Sequence, residues 1–299
     1  MVCAISGIFC LVFCSFVLFN TAIMNSSQHD KAETLKALHQ RPGIFVIPNP
    51  WDAGSAKMLE SLGFEALATT SAGLAYSLAK PDGEGVVSRN ETLENARAIC
   101  AATNLPVSAD LENGYGDSPE ACAETILLAA QVGLVGGSIE DATGRADDPI
   151  YDFDLSVARV KAALKAARSL PFHFTLTARA ENLIRGRVDL PDTIRRLQAY
   201  AEAGADALFA PGLKTREEIE AVVKAVAPKP VNVVVGLGSS SLSVNDMAAL
   251  GVKRISLGSA LARAAYGSFI NAAKEIKQQG TFDFTKNAVL YAEINKMFE

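Results

Sequence analysis

A chain of 299 residues is long enough for one large domain, and an α/β barrel of about 250 residues is a common one-domain solution. Its hydrophobic content of 49% supports a large core, and a net charge of −5 without any basic run argues against a nucleic-acid partner. The five cysteines show neither a disulfide framework nor zinc-ligand spacing.

The N-terminal segment (residues 1–20) is almost entirely apolar, and the first charged residue is Asp30. Its length suits a membrane-spanning helix or the apolar part of a signal peptide, although no Lys or Arg precedes it and no cleavage site is clear. A third interpretation is that translation starts at Met24. We therefore expect residues 1–40 to lie outside the fold and residues 41–299 to form one domain, in a cytoplasmic protein unless the first segment anchors or exports it.

From Gly43 onward, short β-rich runs alternate with Ala-rich amphipathic stretches. The predicted strands are Ile44–Pro48, Ala66–Thr70, Val107–Leu111, Gly137–Glu140, Phe174–Ala178, Ala207–Ala210, Val231–Val235 and Arg254–Leu257. The predicted helices between them are Ala53–Leu62, Arg89–Thr103, Pro119–Gln131, Leu155–Ala167, Leu190–Ala203, Arg216–Val226 and Ser243–Leu250. Such alternation indicates parallel strands, and eight is the number that closes a (β/α)8 TIM barrel.

The predicted fold class is therefore α/β, a (β/α)8 TIM barrel with extra C-terminal helices. A doubly wound open sheet is the alternative, but no Gly-rich phosphate fingerprint follows the first strand. Two further helical stretches, Ala260–Gln278 and Phe284–Met297, exceed what the eighth unit needs. We expect this C-terminal extension to pack on a neighbouring subunit, which predicts a homo-oligomer (a dimer or a tetramer).

Two acidic residues, Asp110 and Glu112, follow the apolar run of the third predicted strand. Residues i and i+2 of a strand point to the same face, so the two carboxylates would converge at its carboxyl end. Carboxylates that close repel each other unless a proton or a cation lies between them, and oxygen ligands suit Mg²⁺ or Mn²⁺. The alternative is a loop in which both acids face solvent.

Further polar residues follow the neighbouring predicted strands. Ser71 follows the second strand, Glu140 ends the fourth and Arg179 follows the fifth. Active sites of TIM barrels lie at the carboxyl ends of the strands, so these side chains should form one cluster. Acids beside an arginine favour a cation site, with the guanidinium as a bidentate clamp for a substrate carboxylate.

Six motifs occur in an order that resembles the isocitrate lyase/phosphoenolpyruvate mutase superfamily, over about Gly43 to Gly267. They are Pro48-Asn49-Pro50-Trp51-Asp52, Thr70-Ser71-Ala72-Gly73, Lys80-Pro81-Asp82, Ser108-Ala109-Asp110-Leu111-Glu112-Asn113-Gly114, Ser138-Ile139-Glu140-Asp141 and Thr177-Ala178-Arg179-Ala180-Glu181. Each motif is weak alone, but the set is specific. The resemblance implies a Mg²⁺-dependent enzyme (Mn²⁺ being possible) that binds a 2-oxo or 2-hydroxy acid and stabilises an enolate while a C–C or P–C bond breaks or forms.

The resemblance also implies a metal-binding set. By position, Asp110 resembles the family's directly bound carboxylate. Asp82, Glu112 and Glu140 resemble the acids that hold the waters of the metal. Without the resemblance, Asp82 is an ordinary Pro-Asp-Gly turn residue and Glu140 an acid at a helix start.

A second implied set binds the substrate. Ser71, with the backbone of Ala72 and Gly73, resembles the loop that cradles the substrate carboxylate and the oxyanion. Arg179 resembles the arginine on the other side of the substrate. Ser71 taken alone is a hydroxyl at a strand end.

The loop after the fourth strand departs from the family pattern. The lyases for isocitrate and methylisocitrate carry Lys-x-Cys-Gly-His there, and the phosphoenolpyruvate mutase pattern has a lysine and an asparagine. Residues 142–149 of this chain contain no lysine, cysteine, histidine or asparagine. The departure argues against the first two activities and weakens the case for phosphonate chemistry. We expect Ala142–Tyr151 to form a lid that excludes water.

The leading hypothesis is a Mg²⁺-dependent lyase that cleaves a C–C bond of a small 2-oxo (or 2-hydroxy) acid through an enolate. Oxaloacetate-type decarboxylation is the simplest case, because CO2 leaves without a general base. One alternative is a P–C bond enzyme of the carboxyphosphonoenolpyruvate or phosphoenolpyruvate mutase type. Another is a barrel that binds a 2-oxo acid and Mg²⁺ without turnover.

Overall fold

The computed structural model describes residues 28–83, 85–236 and 242–299. Its strands are β1 (Phe45–Ile47), β2 (Leu67–Ala68), β3 (Val107–Asp110), β4 (Gly136–Glu140), β5 (Thr175–Arg179), β6 (Ala207–Phe209), β7 (Val231–Val234) and β8 (Arg254–Ser256). They form one parallel sheet in the order β1-β8-β7-β6-β5-β4-β3-β2. The two outer strands also meet, since the N–H of Ala68 donates to the carbonyl of Pro48 at 3.0 Å. The predicted TIM barrel is confirmed.

Helices surround the barrel. They are α1 (residues 28–40), α2 (Ala53–Ser61), α3 (Ser71–Ser77), α4 (Arg89–Ala102), α5 (Pro119–Gln131), α6 (Phe153–Arg168), α7 (Leu190–Ala203), α8 (Arg216–Val226), α9 (Val244–Ala249), α10 (Ala260–Gln279) and α11 (Tyr291–Lys296), with a 3-10 helix over Asp283–Asn287. Three of them, α5, α7 and α8, begin and end where the sequence predicts. Their first turns are closed by the side chains of Ser118, Asp189 and Thr215, which accept hydrogen bonds from backbone N–H groups.

The N-terminal boundary differs from the expectation over residues 28–40. This segment is α1, and Ala32, Leu35 and Leu38 are buried in a cluster with residues of β1 and the starts of β2 and β4. Leu35 packs directly against Gly136: a Cβ at residue 136 would lie 2.9 Å from the Cδ2 atom of Leu35. Helix α1 therefore covers the amino end of the barrel. Residues 1–27, with the apolar segment, lie outside the described residues.

The sequence also missed α3, and it predicted one helix over Phe284–Met297 where the structure has a 3-10 helix followed by α11. The extension of α10, the 3-10 helix and α11 is mostly exposed, with Phe269 at 70%, Leu290 at 72% and Tyr291 at 82%. Within the described ranges, no helix combines the length and the apolarity needed to cross a membrane.

Candidate active site

Asp110 lies at the centre of the polar cluster at the carboxyl ends of β2 to β5. Its Oδ2 atom accepts a hydrogen bond from the Ser71 hydroxyl at 2.9 Å, and its Oδ1 atom lies 2.7 Å from Nη1 of Arg179. The backbone N–H of Asp110 donates to Oγ1 of Thr69 at 3.0 Å. Strands β2, β3 and β5 thus place three of the predicted site residues in direct contact.

Glu112 reaches this cluster by a route that differs from the prediction. Strand β3 ends at Asp110, and Glu112 has a left-handed backbone with φ of 46°. For a residue other than glycine this conformation costs on the order of 1–3 kcal/mol, and such strain concentrates at functional sites. The shared-face argument for residues i and i+2 is therefore wrong, because a strained turn and not strand geometry directs the Glu112 side chain.

Arg179 is the cation on which three carboxylates converge. Besides Asp110, its Nη2 atom lies 3.0 Å from Oε2 of Glu140 and 2.7 Å from Oε1 of Glu181. Its guanidinium also lies 5.0 Å from the ring centroid of Phe209. Burial opposes the charge of Arg179, but Glu181, Glu140 and Asp110 together raise its pKa well above the ordinary value.

The carboxylates outnumber the cations in this cluster. Burial, followed by the charges of Asp110 and Asp82, raises the pKa of Glu112 to about 7. Burial and the charge of Asp110 likewise raise the pKa of Asp82. Burial and the charge of Glu181 raise the pKa of Glu140. Burial is the largest cause of all three shifts, and repulsion from neighbouring carboxylates adds to it, so a bound cation would relieve that repulsion.

The donor set fits a hard divalent cation. It consists of carboxylate oxygens that repel each other, and Mg²⁺ prefers oxygen ligands while keeping several of its waters. Among the described residues, no three His, Cys, Asp or Glu side chains form a ready-made direct ligand set. A site in which Asp110 binds directly, and in which Asp82, Glu112 and Glu140 hold waters, agrees with both observations.

The predicted substrate loop is the first turn of α3. The hydroxyl of Thr70 caps this turn and accepts a hydrogen bond from the N–H of Gly73 at 3.3 Å. A Cβ at Gly73 would lie 2.6 Å from Cγ2 of Thr70 and 2.9 Å from Cβ of Trp51. Close packing therefore requires glycine at this position. The N–H of Ser71 points to Asp110 and lies 3.5 Å from its Oδ2 atom.

Two cavities meet the cluster from different sides. One of about 190 Å³ enters the barrel between Ser71, Asp110 and Arg179 and reaches down to the buried Arg254. The other, of about 500 Å³, has a wall that combines the turn after β3, the start of the predicted lid and the loop before α4. Its lining includes Gly83, Ser88, Asn113, Thr143 and Arg185, together with Glu112 and Glu140.

The structure adds two residues that the sequence prediction omitted. Glu181 is fully buried and accepts hydrogen bonds from Nε and Nη2 of Arg179 at 3.0 and 2.7 Å. Arg185 lies on the larger cavity, with Nη2 3.6 Å from Oε1 of Glu140. Glu181 and Arg185 are four residues apart, and this spacing of an acid and an arginine is visible in the sequence. It did not indicate a site, because such pairs are usually ion pairs on the surface of a helix.

The segment predicted as a lid is a small closed loop. Ala142 and Ile150 form an isolated antiparallel bridge. Across the loop, Asp117 accepts a hydrogen bond from the Tyr151 hydroxyl at 2.6 Å, and its Oδ2 atom lies 3.0 Å from Nη1 of Arg145. Side-chain contacts to the turn after β3 thus hold this loop against the larger cavity.

Comparison with known proteins agrees with this arrangement. A family model described as phosphoenolpyruvate phosphomutase matches residues 35–277. A solved structure from Burkholderia cenocepacia, assigned only as a lyase/mutase without a specific reaction, is 59% identical, covers 91% of this chain and 97% of its own, and has a TM-score of 0.89.

Two further relatives have assigned reactions. An oxaloacetate decarboxylase from Bradyrhizobium diazoefficiens is 33% identical over 76% of this chain and 78% of its own length. A phosphonopyruvate hydrolase, solved in complex with oxalate and Mg²⁺, is 27% identical with a TM-score of 0.80, and the match covers 89% of this chain and 94% of that one.

Proposed function

Because the chain belongs to the isocitrate lyase/phosphoenolpyruvate mutase superfamily, whose members are Mg²⁺-dependent lyases and mutases, we propose that it cleaves a C–C bond of a small 2-oxo (or 2-hydroxy) carboxylic acid through an enolate. The family resemblance drawn from the motifs is confirmed. Oxaloacetate decarboxylation is the simplest reaction of this kind.

One observation carries the proposal: Asp110 contacts both Ser71 and Arg179 inside a cluster with excess negative charge. Such a cluster suits a divalent cation at Asp110, with waters held by Asp82, Glu112 and Glu140. Arg179 Nη1 becomes available to a substrate carboxylate once Asp110 has another cation as its partner. Ser71 and the first turn of α3 supply neutral donors on the opposite side.

The proposed chemistry needs an electron sink and a site closed to water. Mg²⁺, when bound, supplies Lewis-acid polarisation of the 2-oxo group. As the bond to the departing carboxylate breaks, its electron pair moves into the enolate, and protonation of that enolate gives the keto product. Ser71 and Arg179 donate hydrogen bonds to the oxygens on which negative charge develops. The Ala142–Tyr151 loop limits the access of water to the enolate.

A P–C bond reaction is the second candidate, because a phosphonopyruvate hydrolase is also among the relatives. The loop after β4 lacks the lysine and asparagine of the phosphoenolpyruvate mutase pattern. We therefore rank it below C–C cleavage. Release of inorganic phosphate from phosphonopyruvate would favour it.

The first experiment is a pyruvate assay with Mg²⁺ and oxaloacetate on protein that starts at Met24. Mg²⁺ alone decarboxylates oxaloacetate slowly, so a metal-only sample and Asp110→Ala protein run beside it. We expect metal-dependent pyruvate well above both controls. Full turnover and metal affinity in Asp110→Ala would refute the site assignment. Binding of oxalate without product from any 2-oxo acid would instead indicate a binding protein without turnover.

We also propose a cytoplasmic homo-oligomer, dimeric or tetrameric. The support for self-association is the exposed apolar surface of the C-terminal extension. The support for the location is the acidic, disulfide-free composition of residues 28–299, and the N-terminal segment decides whether an anchored or exported form exists.

A further inference from the structure

We infer that Arg185 binds a second acidic group of the substrate, remote from the 2-oxo acid, and so makes the enzyme selective for dicarboxylates. This inference rests on the proposed function. It concerns the larger cavity, which the reaction centre at Asp110 and Arg179 leaves unexplained.

The first support is the hydrogen bonding of Arg185. Its guanidinium carries five N–H donors, yet its nearest carboxylate oxygens are Oε1 of Glu140 at 3.6 Å and Oε2 of Glu181 at 3.7 Å, both beyond hydrogen-bond distance. Its Nε atom is buried and makes no hydrogen bond in the described part of the chain. The Nε atom faces Oε2 of Glu181, which is also buried without a hydrogen bond, whereas the Nη groups make no hydrogen bond among the described residues and can bind an acceptor that enters the cavity.

The second support is the position of the side chain. Arg185 lines the 500 Å³ cavity, and its Nη1 atom would lie 3.5 Å from a Cβ at Gly83. Its side chain is 32% exposed, so a ligand in the cavity can reach the guanidinium. Arg89 also lines the cavity, but it already pairs with Glu124 at 2.8 Å. Among the described residues that line this cavity, Arg185 is therefore the cationic side chain whose N–H groups are free to bind a ligand.

The third support is the connection to the reaction centre. Glu140 contacts Arg179 through Oε2 and Arg185 through Oε1, and Glu181 contacts the same two arginines. One substrate that spans this carboxylate pair can thus meet Arg179 with its 2-oxo acid and Arg185 with a second carboxylate. A carboxylate that enters beside Glu112 and Glu140 needs a cation, and a planar guanidinium suits it in bidentate geometry.

The test compares two probes by isothermal titration in the presence of Mg²⁺. Oxalate has two adjacent carboxylates, which match only the part of the ligand assigned to Asp110 and Arg179. In 3,3-difluorooxaloacetate a further carboxylate lies beyond the 2-oxo acid, where Arg185 would bind it. In Arg185→Met we expect the affinity for 3,3-difluorooxaloacetate to fall roughly 10- to 100-fold, the usual loss for a hydrogen bond to a charged group. Oxalate affinity should stay within about twofold, and Arg185→Lys should lose less.

Kinetics provide a second readout. In decarboxylation the second carboxylate loses its charge as CO2 departs, so its contact with Arg185 is a ground-state interaction. We expect Arg185→Met to raise KM for oxaloacetate with kcat unchanged or higher. Arg195→Met is the matched control, because Arg195 is an exposed arginine that pairs with Asp192 outside both cavities.

The outcomes separate this inference from the proposed function. Equal losses for both probes would mean that Arg185 only positions Glu140 and Glu181, which overturns the inference. Unchanged affinity for both probes overturns it as well. If the unsubstituted protein fails to bind oxalate with Mg²⁺, the proposed function itself is wrong.

Discussion

Asp110 is the residue on which the chemistry depends, because Ser71 and Arg179 both bind its carboxylate. A ligand that binds only the folded state raises the melting temperature by an amount set by its concentration relative to Kd. We expect Mg²⁺ to raise the melting temperature of the unsubstituted protein and EDTA to reverse the increase. In Asp110→Ala both effects should vanish. Equal Mg²⁺ shifts in the two proteins would place the cation elsewhere.

His39 is buried on α1, the helix that precedes the first barrel strand. Its Nδ1 atom lies 2.8 Å from the carbonyl oxygen of Leu35, and its Nε2 atom lies 3.1 Å from Nη1 of Arg254. Nε2 must therefore accept the Arg254 proton, so the imidazole is neutral. Burial, together with the charge of Arg254, lowers the pKa of His39 to about 3.

This lowered pKa predicts a loss of stability in acid. Below pH 6.5, His39 is protonated in the unfolded chain but stays neutral in the folded chain. The free energy of unfolding therefore falls as the pH drops from 6.5 towards 3. Between pH 7 and pH 5 the loss should be about 2 kcal/mol. Urea unfolding at both pH values should show that His39→Gln removes this part of the pH dependence.

The control for His39→Gln is His29→Gln, which changes an exposed histidine on the same helix. It should keep the pH dependence of the unsubstituted protein. Identical pH dependence in all three proteins would show that His39 is protonated, or exposed, in the folded state.

At the scale of elements, the loop from Ala142 to Tyr151 depends on Asp117. Removing this carboxylate deletes the exposed contact to Arg145 and the hydrogen bond from Tyr151, and the latter is worth on the order of 1 kcal/mol. We expect Asp117→Ala to speed hydrogen exchange roughly fivefold at the amides of Thr143 and Tyr151, which now donate to backbone carbonyls.

The matched control for the loop is Glu220→Ala, which removes an exposed ion pair with Lys224 on α8. Exchange in the loop should be unaffected by this change. If Asp117→Ala also leaves the loop amides protected, the backbone bridge between Ala142 and Ile150 would be what holds the loop closed.

At the scale of the whole molecule, the C-terminal extension predicts self-association. Phe269, Leu290 and Tyr291 are 70–82% exposed, and exposed apolar surface of this kind usually marks an interface. We expect light scattering to give a dimer or a tetramer, and the double substitution Leu290→Asp/Tyr291→Asp to reduce the assembly. Asn295→Asp, a charge at an exposed polar position of α11, should leave it intact. A monomeric unsubstituted protein would contradict this prediction.

The family motifs named residues that lie together in the structure, but they did not reveal the contacts between them. Asp110, Glu140 and Arg179 were assigned to a cation site and a substrate clamp, and the barrel brings them together. Glu112 was placed by strand periodicity, which fails because β3 ends at Asp110. Arg185 was missed, because the spacing of Glu181 and Arg185, four residues apart, is typical of a surface ion pair. Only the structure shows that Arg185 lines a cavity.

Sequence alone determined the fold class, the number of β/α units and the ends of helices such as α5, α7 and α8. These features depend on hydrophobic periodicity and on capping groups within a few residues of each helix end, which a linear pattern records. The tertiary structure alone decided that α1 closes the amino end of the barrel and that two arginines share Glu140 and Glu181. The contacts of α1 and of Glu140 join separate strands and helices, so they exist only once the barrel has closed.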